Sequence, residues 1–219
     1  MQNTSTPPLG RAQARQARSR ETADRIVAAA LALLGSKPIE KISVASIASS
    51  AGISVGGFYA RFPSKDALFQ YLNVDVFERI LERARELFSV EATAGLGARV
   101  MIERYIEMAV RGFRKHRLVL QQIALRSRTS KDAAFRQRVL ALNVELHDLF
   151  RARLSERVAD IGHPDPSTAM SLALTAVSGA MREYVLFAEY RPQFAVVEDE
   201  RLIVELTDMF CSYLRIETC

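Results

Sequence analysis

The sequence predicts an all-α fold of about nine helices. Apolar residues recur at helical spacing from Thr22 onward, beginning with Ile26, Ala29, Ala30 and Leu33. Strand-like alternation of apolar and polar residues does not extend over five or more positions anywhere in the chain. Capping residues and Gly or Pro breakers separate the apolar runs, as expected where helices begin and end. The 219 residues are enough to bury a core in one large domain or two small ones.

The first third of the chain predicts four helices joined by short turns. Gly35 and Pro38 stop the first helix, and Gly52 ends the second. Ser43 and Ser54 are the expected N-caps of the second and third helices, each of which is only about seven residues long. These helices, and a fourth capped by Ser64, are predicted over residues 22–35, 43–52, 54–62 and 64–84.

The remainder predicts five further helices after a loop at residues 89–97. The segment "GHPDPS" marks the clearest boundary, with Asp165 as N-cap and Pro166 at the first helical position. Ser130 is the expected cap of the helix before it. The five helices are predicted over residues 101–113, 118–125, 130–154, 165–190 and 198–215.

Positive charge is concentrated at the N-terminal end. Residues 1–71 hold nine Lys or Arg and four Asp or Glu, and this excess equals the whole net charge of +5. Such asymmetry indicates that this third meets a polyanion, either nucleic acid or an anionic membrane.

The two cysteines form no disulfide framework, and the polar start of the chain lacks the apolar run of a signal peptide. A cytoplasmic protein without membrane association is therefore expected.

The stretch "ISVASIASSAGISVGGFYARFPSKDALF" predicts a helix-turn-helix. Two helices this short are unstable alone, so they must pack against the apolar face of the first helix. Gly52 lies where the turn between them needs a positive φ. Gly56 and Gly57 weaken the next helix by about 1 kcal/mol each relative to Ala. The second helix of such a unit enters the major groove. We therefore interpret the two glycines as residues that let the backbone come close to DNA, at the expense of helix stability.

The same stretch resembles the DNA-binding signature of the TetR family of bacterial transcriptional regulators. The matching features are "IASSAGISVG" from Ile47, "FYARF" from Phe58 and "SKDAL" from Ser64. The resemblance covers about residues 20–80 and departs from the family at Arg61, where members often carry His or another aromatic residue. The expected partners are double-stranded DNA with a palindromic operator, a second copy of the chain and a small-molecule effector, and no cofactor or metal is expected. The resemblance implies a three-helix DNA-binding domain, a helical ligand-binding and dimerisation domain, and repression that a small molecule relieves. It also implies that the last two helices of each subunit form a four-helix bundle with those of its partner.

These expectations divide the chain into a flexible basic arm (1–20), a helix-turn-helix domain (21–68) and a ligand-binding and dimerisation domain (69–219).

Arg61 is expected to reach a guanine edge or a phosphate, and Lys65 and Tyr59 to reach phosphates. Val55 and Ala60 offer only apolar contact, so DNA shape is expected to add to the readout. The full set of candidate DNA-binding residues is Ser43, Ser54, Val55, Gly56, Gly57, Tyr59, Ala60, Arg61 and Lys65.

Candidate ligand-binding residues follow the inward faces of the later helices. Asn143 and His147, spaced i and i+4, can orient a ligand in an apolar cavity. The alternatives are that Asn143 and His147 are helix-surface or hydrogen-bonded core polar groups, and that the Met and aromatic candidates belong to an ordinary core. The candidates are Met101, Tyr105, Met108, Phe113, Asn143, His147, Phe150 and Met170.

The sequence offers no support for an enzyme. His116, His147 and His163 are scattered, with no Cys or carboxylate at metal-ligand spacing, and no strand precedes a Gly-rich loop. Two alternatives to the repressor stay open at this point. One is an activator or ligand-independent DNA-binding regulator, and the other is a basic arm that recruits the protein to anionic membranes.

Overall fold

The computed structural model describes residues 11–37, 39–129, 132–190 and 197–217. Over these ranges the chain forms ten α-helices and no strand, which confirms the all-α prediction. The helices are α1 (Arg11–Leu34), α2 (Val44–Ser50), α3 (Val55–Tyr59), α4 (Lys65–Leu87), α5 (Val90–Thr93), α6 (Ala98–Lys115), α7 (Arg117–Thr129), α8 (Ala133–Ser155), α9 (Pro166–Met181) and α10 (Asp199–Leu214). A 3-10 turn at Ile39–Lys41 precedes α2, and a π-helical segment, Arg182–Leu186, follows α9 directly.

Two compact units divide the chain after Leu72. The predicted boundary lies at residue 68, inside the first turns of α4. The difference arises because Leu68, Phe69 and Leu72 are all almost fully buried, so the first turns of α4 contribute to a core before the division.

The core of the first unit forms where α1 packs against α2 and α2 packs against α3. Ile26 and Ala30 of α1, Ile47 of α2 and Phe58 of α3 have at most a trace of exposed surface. Burial of these side chains supplies the stability that α2 and α3 lack as isolated helices of seven and five residues.

The first helix begins earlier than the sequence predicts. The flexible arm was expected to reach residue 20, but α1 extends back to Arg11. The segment "RAQARQARSR" consists largely of Arg, Ala and Gln, which favour helix, and it contains no Gly or Pro. The earlier part of the expected arm, residues 1–10, lies outside the described residues.

The second unit is built around α6, which packs against α10, α7, α8 and α9. Its centre is an aromatic cluster in which the Tyr105 and Phe150 rings stack at 4.3 Å between centroids. Phe88 and Phe210 meet Phe150 edge-on at 5.5 and 6.1 Å. These arrangements are the ones that aromatic quadrupoles favour.

Helix termini follow the predicted chemistry with two differences. Asp165 caps α9 by accepting from the Thr168 amide at 3.1 Å, with Pro166 at the first helical position, as expected. The predicted loop at 89–97 contains the additional short helix α5, capped by Ser89. The cap of α8 is Asp132, which accepts from the Phe135 amide at 3.0 Å. The predicted cap, Ser130, lies outside the described residues.

Candidate nucleic-acid interface and effector cavity

The turn between α2 and α3 has the geometry of a Schellman motif. Gly52 adopts a φ of 65°, and its amide donates to the Ser49 carbonyl at 3.1 Å. The Ile53 amide donates to the Ala48 carbonyl at 3.0 Å. This pair of hydrogen bonds requires a left-handed residue, which glycine adopts without steric cost. Gly52 therefore fixes the angle between the two short helices.

Serine side chains begin both helices of this unit. Ser43 and Ser46 form a reciprocal capping box at 3.0 and 3.2 Å, and the Ser54 hydroxyl accepts from the Gly57 amide at 3.0 Å. The hydroxyl oxygens of Ser43 and Ser54 are thus occupied as acceptors, while their hydrogens can still be donated. Both serines are exposed, so these hydrogens can reach a phosphate.

Gly56 and Gly57 stand in different surroundings. A Cβ on Gly57 would lie 3.3 Å from the Ser54 hydroxyl and 3.7 Å from Ile53 Cβ, so the capping geometry itself favours glycine there. A Cβ on Gly56 would meet only the Ser54 hydroxyl, at an ordinary 3.8 Å. Gly56 has no positive φ either. Folding therefore gives no reason for glycine at Gly56, although glycine lowers helix stability by about 1 kcal/mol there.

The outer face of α3 is exposed and carries few charged groups. Val55 is 44% exposed, Tyr59 is 52% exposed, and Ala60 and Arg61 are also exposed. The Arg61 guanidinium makes no hydrogen bond or ion pair with any residue in the described part of the chain. Its donors are available to an external acceptor.

Lys65 has a partner that the sequence did not reveal. Its ammonium group donates to the carbonyl oxygens of Ile39 at 3.1 Å and Ile42 at 2.9 Å. These carbonyls belong to the segment that leads into α2, so Lys65 ties the first turn of α4 to the start of the helix-turn-helix. Two of its three N–H donors are used within the fold, which leaves one for the phosphate contact that the sequence predicts.

Arg25, a cationic residue that the sequence analysis did not name, lies beside the turn. A Cβ on Gly52 would lie 3.9 Å from Arg25 Nη1, so the guanidinium of α1 is next to the junction of α2 and α3. Helical spacing predicts that Arg25 lies on the exposed face of α1. Its distance from the turn depends on how α1 packs against α2, which the sequence pattern does not give.

A cavity of about 160 Å³ lies within the second unit. Its wall is mostly apolar, and α4, α6, α7, α8, α9 and the π-helical segment contribute to it. A polar edge is formed by Asn143, His147, Ser178 and Arg182. The lining residues are Phe77, Ile80, Tyr105, Met108, Ala109, Gly112, Phe113, Leu120, Ala124, Val139, Asn143, Leu146, His147, Ser178, Met181, Arg182 and Leu186.

Burial changes the protonation behaviour of two groups at this cavity. It raises the pKa of Tyr105 to about 12, against smaller opposing effects of Ser178 and Arg182. It lowers the pKa of His147, and the positive charge of Arg182 lowers that pKa further. Both side chains are therefore neutral at pH 7.

The comparisons with known proteins agree with the helix-turn-helix geometry. The family model for bacterial regulatory proteins of the tetR family matches residues 26–72, which span the packed part of α1 through the second turn of α4. The chain carries a TetR-family DNA-binding domain over residues 26–72. It is therefore a DNA-binding transcriptional regulator with a helix-turn-helix, and TetR proteins are not enzymes. No curated protein matches this sequence significantly.

Solved structures of TetR regulators share the fold of nearly the whole chain. PfmR from Thermus thermophilus is 19% identical, with 89% of this chain and 100% of that one covered and a TM-score of 0.63. A putative TetR regulator from Rhodococcus sp. is 17% identical, with coverages of 89% and 99% and a TM-score of 0.64. FadR from Bacillus subtilis, solved in complex with stearoyl-CoA, is 16% identical, with coverages of 89% and 98% and a TM-score of 0.61.

The predicted ligand residues of this TetR protein separate into two groups. Tyr105, Met108, Phe113, Asn143 and His147 line the cavity. The other three, Met101, Phe150 and Met170, are 0%, 1% and 6% exposed and lie in the core without lining it. Helical spacing identifies an inward face, but it does not separate the residues at a cavity from those in close packing.

Arg182 is one of twelve cavity residues that the sequence analysis did not name as ligand-binding candidates. It opens the π-helical segment, whose last residue, Leu186, also lines the cavity. Short π-helical segments are often found at functional sites. The sequence shows only an arginine after an apolar run, and nothing in that pattern reveals the change in helix type.

No helix in the described ranges is long and apolar enough to cross a membrane.

Proposed function

We propose that this TetR regulator is a repressor whose operator affinity falls when a small molecule occupies the cavity of the second unit. The observation that carries the proposal is the cavity itself, which combines an apolar wall with a few polar groups at one edge. Ligand sites in proteins have this composition. The stearoyl-CoA bound to FadR from Bacillus subtilis supports effector binding by a protein of this fold.

The proposed DNA-binding surface is the outer side of α2 and α3. Gly56 allows the backbone to approach the major groove, and Val55 and Ala60 supply apolar contact to bases. Arg61 reaches a base edge or a phosphate with its unpaired guanidinium. The remaining contacts, from Ser43, Ser54, Gly57, Tyr59 and the third donor of Lys65, position the unit on the phosphate backbone.

A homodimer is the proposed DNA-binding species, with α9 and α10 as its interface. These helices expose large apolar side chains, including Leu172 at 54%, Val204 at 46% and Met209 at 45%. Ala176 and Ser171 are exposed on the same helix as Leu172, and small residues allow close helix packing. A two-fold dimer presents two α3 helices and reads a palindrome.

Helix α4 provides the proposed route from effector to operator. Phe77 and Ile80 on this helix line the cavity, and Lys65 in its first turn holds the segment before α2 through two carbonyls. A ligand against Phe77 and Ile80 favours one position of α4, and Lys65 passes that preference to the start of the helix-turn-helix. The change is a shift in population between two states of the dimer.

The test is fluorescence anisotropy with a duplex from upstream of the protein's own gene. We expect binding of two chains per palindrome, loss of affinity when one half-site is scrambled, and a log Kd that rises linearly with log salt. A cavity ligand should weaken the complex at fixed salt. Binding that ignores the half-sites contradicts sequence-specific recognition, and operator affinity that no cavity ligand changes contradicts effector release.

A further inference from the structure

The polar edge of the cavity contains a cation without a counter-charge. Arg111, Arg114 and Arg117, which lie in the same unit, each pair with a carboxylate. Arg182 is half-buried and makes no hydrogen bond or ion pair with any described residue. No Asp or Glu is among the residues that line the cavity. Since cations withdrawn from water favour a nearby anion, this half-buried guanidinium lacks a counter-charge on the cavity wall.

Ser178 adds a second unpartnered polar group at the same edge. It is 6% exposed, lines the cavity, and its hydroxyl makes no hydrogen bond within the described residues. The Tyr105 hydroxyl is near enough for Ser178 to oppose the rise of the Tyr105 pKa, but the two groups do not reach normal hydrogen-bond geometry. Buried hydroxyls are normally hydrogen-bonded, so one without a partner beside open space indicates a group that a ligand completes. Ser178 is one turn before Arg182 on the same continuous helix, and i and i+4 side chains share a face.

The third unpartnered group is the ring of His147 on α8. It makes no hydrogen bond with a described residue, and burial keeps it neutral at pH 7 by lowering its pKa. A neutral imidazole has one donor and one acceptor nitrogen. It can therefore donate a hydrogen bond to an anion that Arg182 holds without contributing a charge of its own.

The size of the cavity limits what can enter. Its volume of about 160 Å³ is close to that of an apolar cavity of about 150 Å³ that admits a benzene ring. Drug-sized ligands occupy pockets of about 300–1,000 Å³. One ring or a short apolar chain fills this space, whereas most of a long acyl chain would extend beyond it.

We propose that the cavity binds a small monoanion, a carboxylate carried on a single ring or a short apolar chain. Arg182 binds the carboxylate, Ser178 and His147 donate to its oxygens, and the apolar wall holds the remainder of the molecule. This identification of the ligand class rests on the proposed function of the cavity as the effector site.

Isothermal titration calorimetry of the full-length protein, without DNA, tests the proposal. The probes are benzoate, phenylacetate and hexanoate, each compared with its neutral amide, and hexadecanoate as the long-chain comparison. We expect at least one of the three small carboxylates to bind at least about 10-fold more tightly than its amide, because only the anion satisfies the guanidinium. Hexadecanoate should bind more weakly than that carboxylate. Equal affinity for acid and amide, or no binding of any small carboxylate, overturns the proposal.

Variants separate recognition from folding. Arg182→Met should abolish the preference for acid over amide while leaving the thermal midpoint of the empty protein unchanged or higher, since no ion pair is lost. Arg111→Met is the matched control, because it removes an exposed arginine of the same unit that does not line the cavity. It should retain the full preference for the acid. A preference that survives Arg182→Met, with the protein folded, overturns the role of Arg182.

The calorimetry and the operator measurement can fail independently. If a small carboxylate binds but operator affinity stays constant, the ligand class stands and effector release fails. If operator binding responds only to uncharged molecules, effector release stands and the carboxylate proposal fails.

Discussion

Three glycines within six positions serve different physical needs. Gly52 takes a φ of 65° and closes the turn, and a Cβ on Gly57 would press on the Ser54 cap at 3.3 Å. Gly56 has neither constraint, with ordinary space for a Cβ and no positive φ. Of the three glycines, only Gly56 lowers helix stability without a role in the fold, so its role is expected to lie in contact with another molecule.

At His147, burial makes stability depend on pH. Its folded-state pKa is lowered, first by burial and then by the charge of Arg182, so the unfolded chain takes up the proton first as the pH falls. The stabilising contribution is complete above the ordinary pKa of about 6.5 and decreases below it, toward the lowered folded pKa. We expect the urea midpoint to fall between pH 7.5 and 5.5, and to fall less in His147→Asn.

The control for this experiment is His116→Asn. Burial also lowers the pKa of His116, so this variant should remove its own share of the pH dependence and retain that of His147. A pH profile of His147→Asn that coincides with the wild type would show that His147 titrates alike in the folded and unfolded states.

At the residue scale, the roles of caps and turn residues could be predicted from the sequence, but the partners of side chains distant in sequence could not. Ser43, Gly52 and Asp165 act on neighbours within a few positions, so their roles as cap, turn and cap follow from sequence. Arg182 looks like any surface arginine until the absence of a carboxylate from the cavity wall is known. That absence depends on which side chains six different elements bring together, and no local pattern encodes it.

At the element scale, α4 links the two units through its own sequence. Its first turn carries Lys65, bonded to two carbonyls before α2, and its later turns carry Phe77 and Ile80 at the cavity. Sequence reasoning assigned Lys65 to a phosphate because its partners, Ile39 and Ile42, are more than 20 residues away. A tertiary contact at that separation has no periodic signature.

Lys65→Met should therefore weaken the start of α2 as well as any DNA contact. Loss of two charge-assisted hydrogen bonds is expected to lower the free energy of opening for the Val44–Ser50 amides by about 1–3 kcal/mol. Hydrogen exchange of the full-length protein, followed by mass spectrometry, measures this. Lys41→Met, at an exposed position on the preceding 3-10 turn, is the matched control and should leave exchange unchanged.

The opposite result would have a clear meaning. Unchanged exchange in Lys65→Met, together with a salt slope of operator binding shallower by about one, would assign the ammonium to a phosphate instead of to the carbonyls.

The long helices were predictable because each has apolar residues at helical spacing over much of its length, but some helix boundaries were not. The short helix α5 lies in a segment rich in small residues, where no apolar period is visible. Residues 11–20 are polar enough to predict a flexible arm, yet their helix-forming composition continues α1 through them. At α5 and at residues 11–20, the local preference for helix was too weak to predict the helix from the sequence.

At the scale of the whole molecule, charge and apolar surface lie in different parts of the sequence. The net charge of +5 resides in residues 1–71, and the exposed apolar residues of α9 and α10 belong to the neutral remainder. This division fits the proposed DNA-binding dimer, in which a basic part faces the polyanion and a helical part without net charge joins two copies.

The central claim is that DNA approaches this molecule across Gly56. The most direct measurement is the operator affinity of Gly56→Ala, by fluorescence anisotropy, beside its thermal unfolding. We expect a protein as stable as the wild type or up to about 1 kcal/mol more stable, since alanine favours helix. Its operator affinity should fall about 10-fold or more, which corresponds to about 1.4 kcal/mol of binding free energy.

Gly97→Ala, at the start of α6, is the control, because a Cβ there would meet only Asp160 Oδ2 at 4.0 Å, and the position lies outside the cavity lining and far along the chain from α3. It should bind the operator like the wild type. Full operator affinity in a stable Gly56→Ala protein would contradict the claim, since it would show that DNA does not come close to this face of α3.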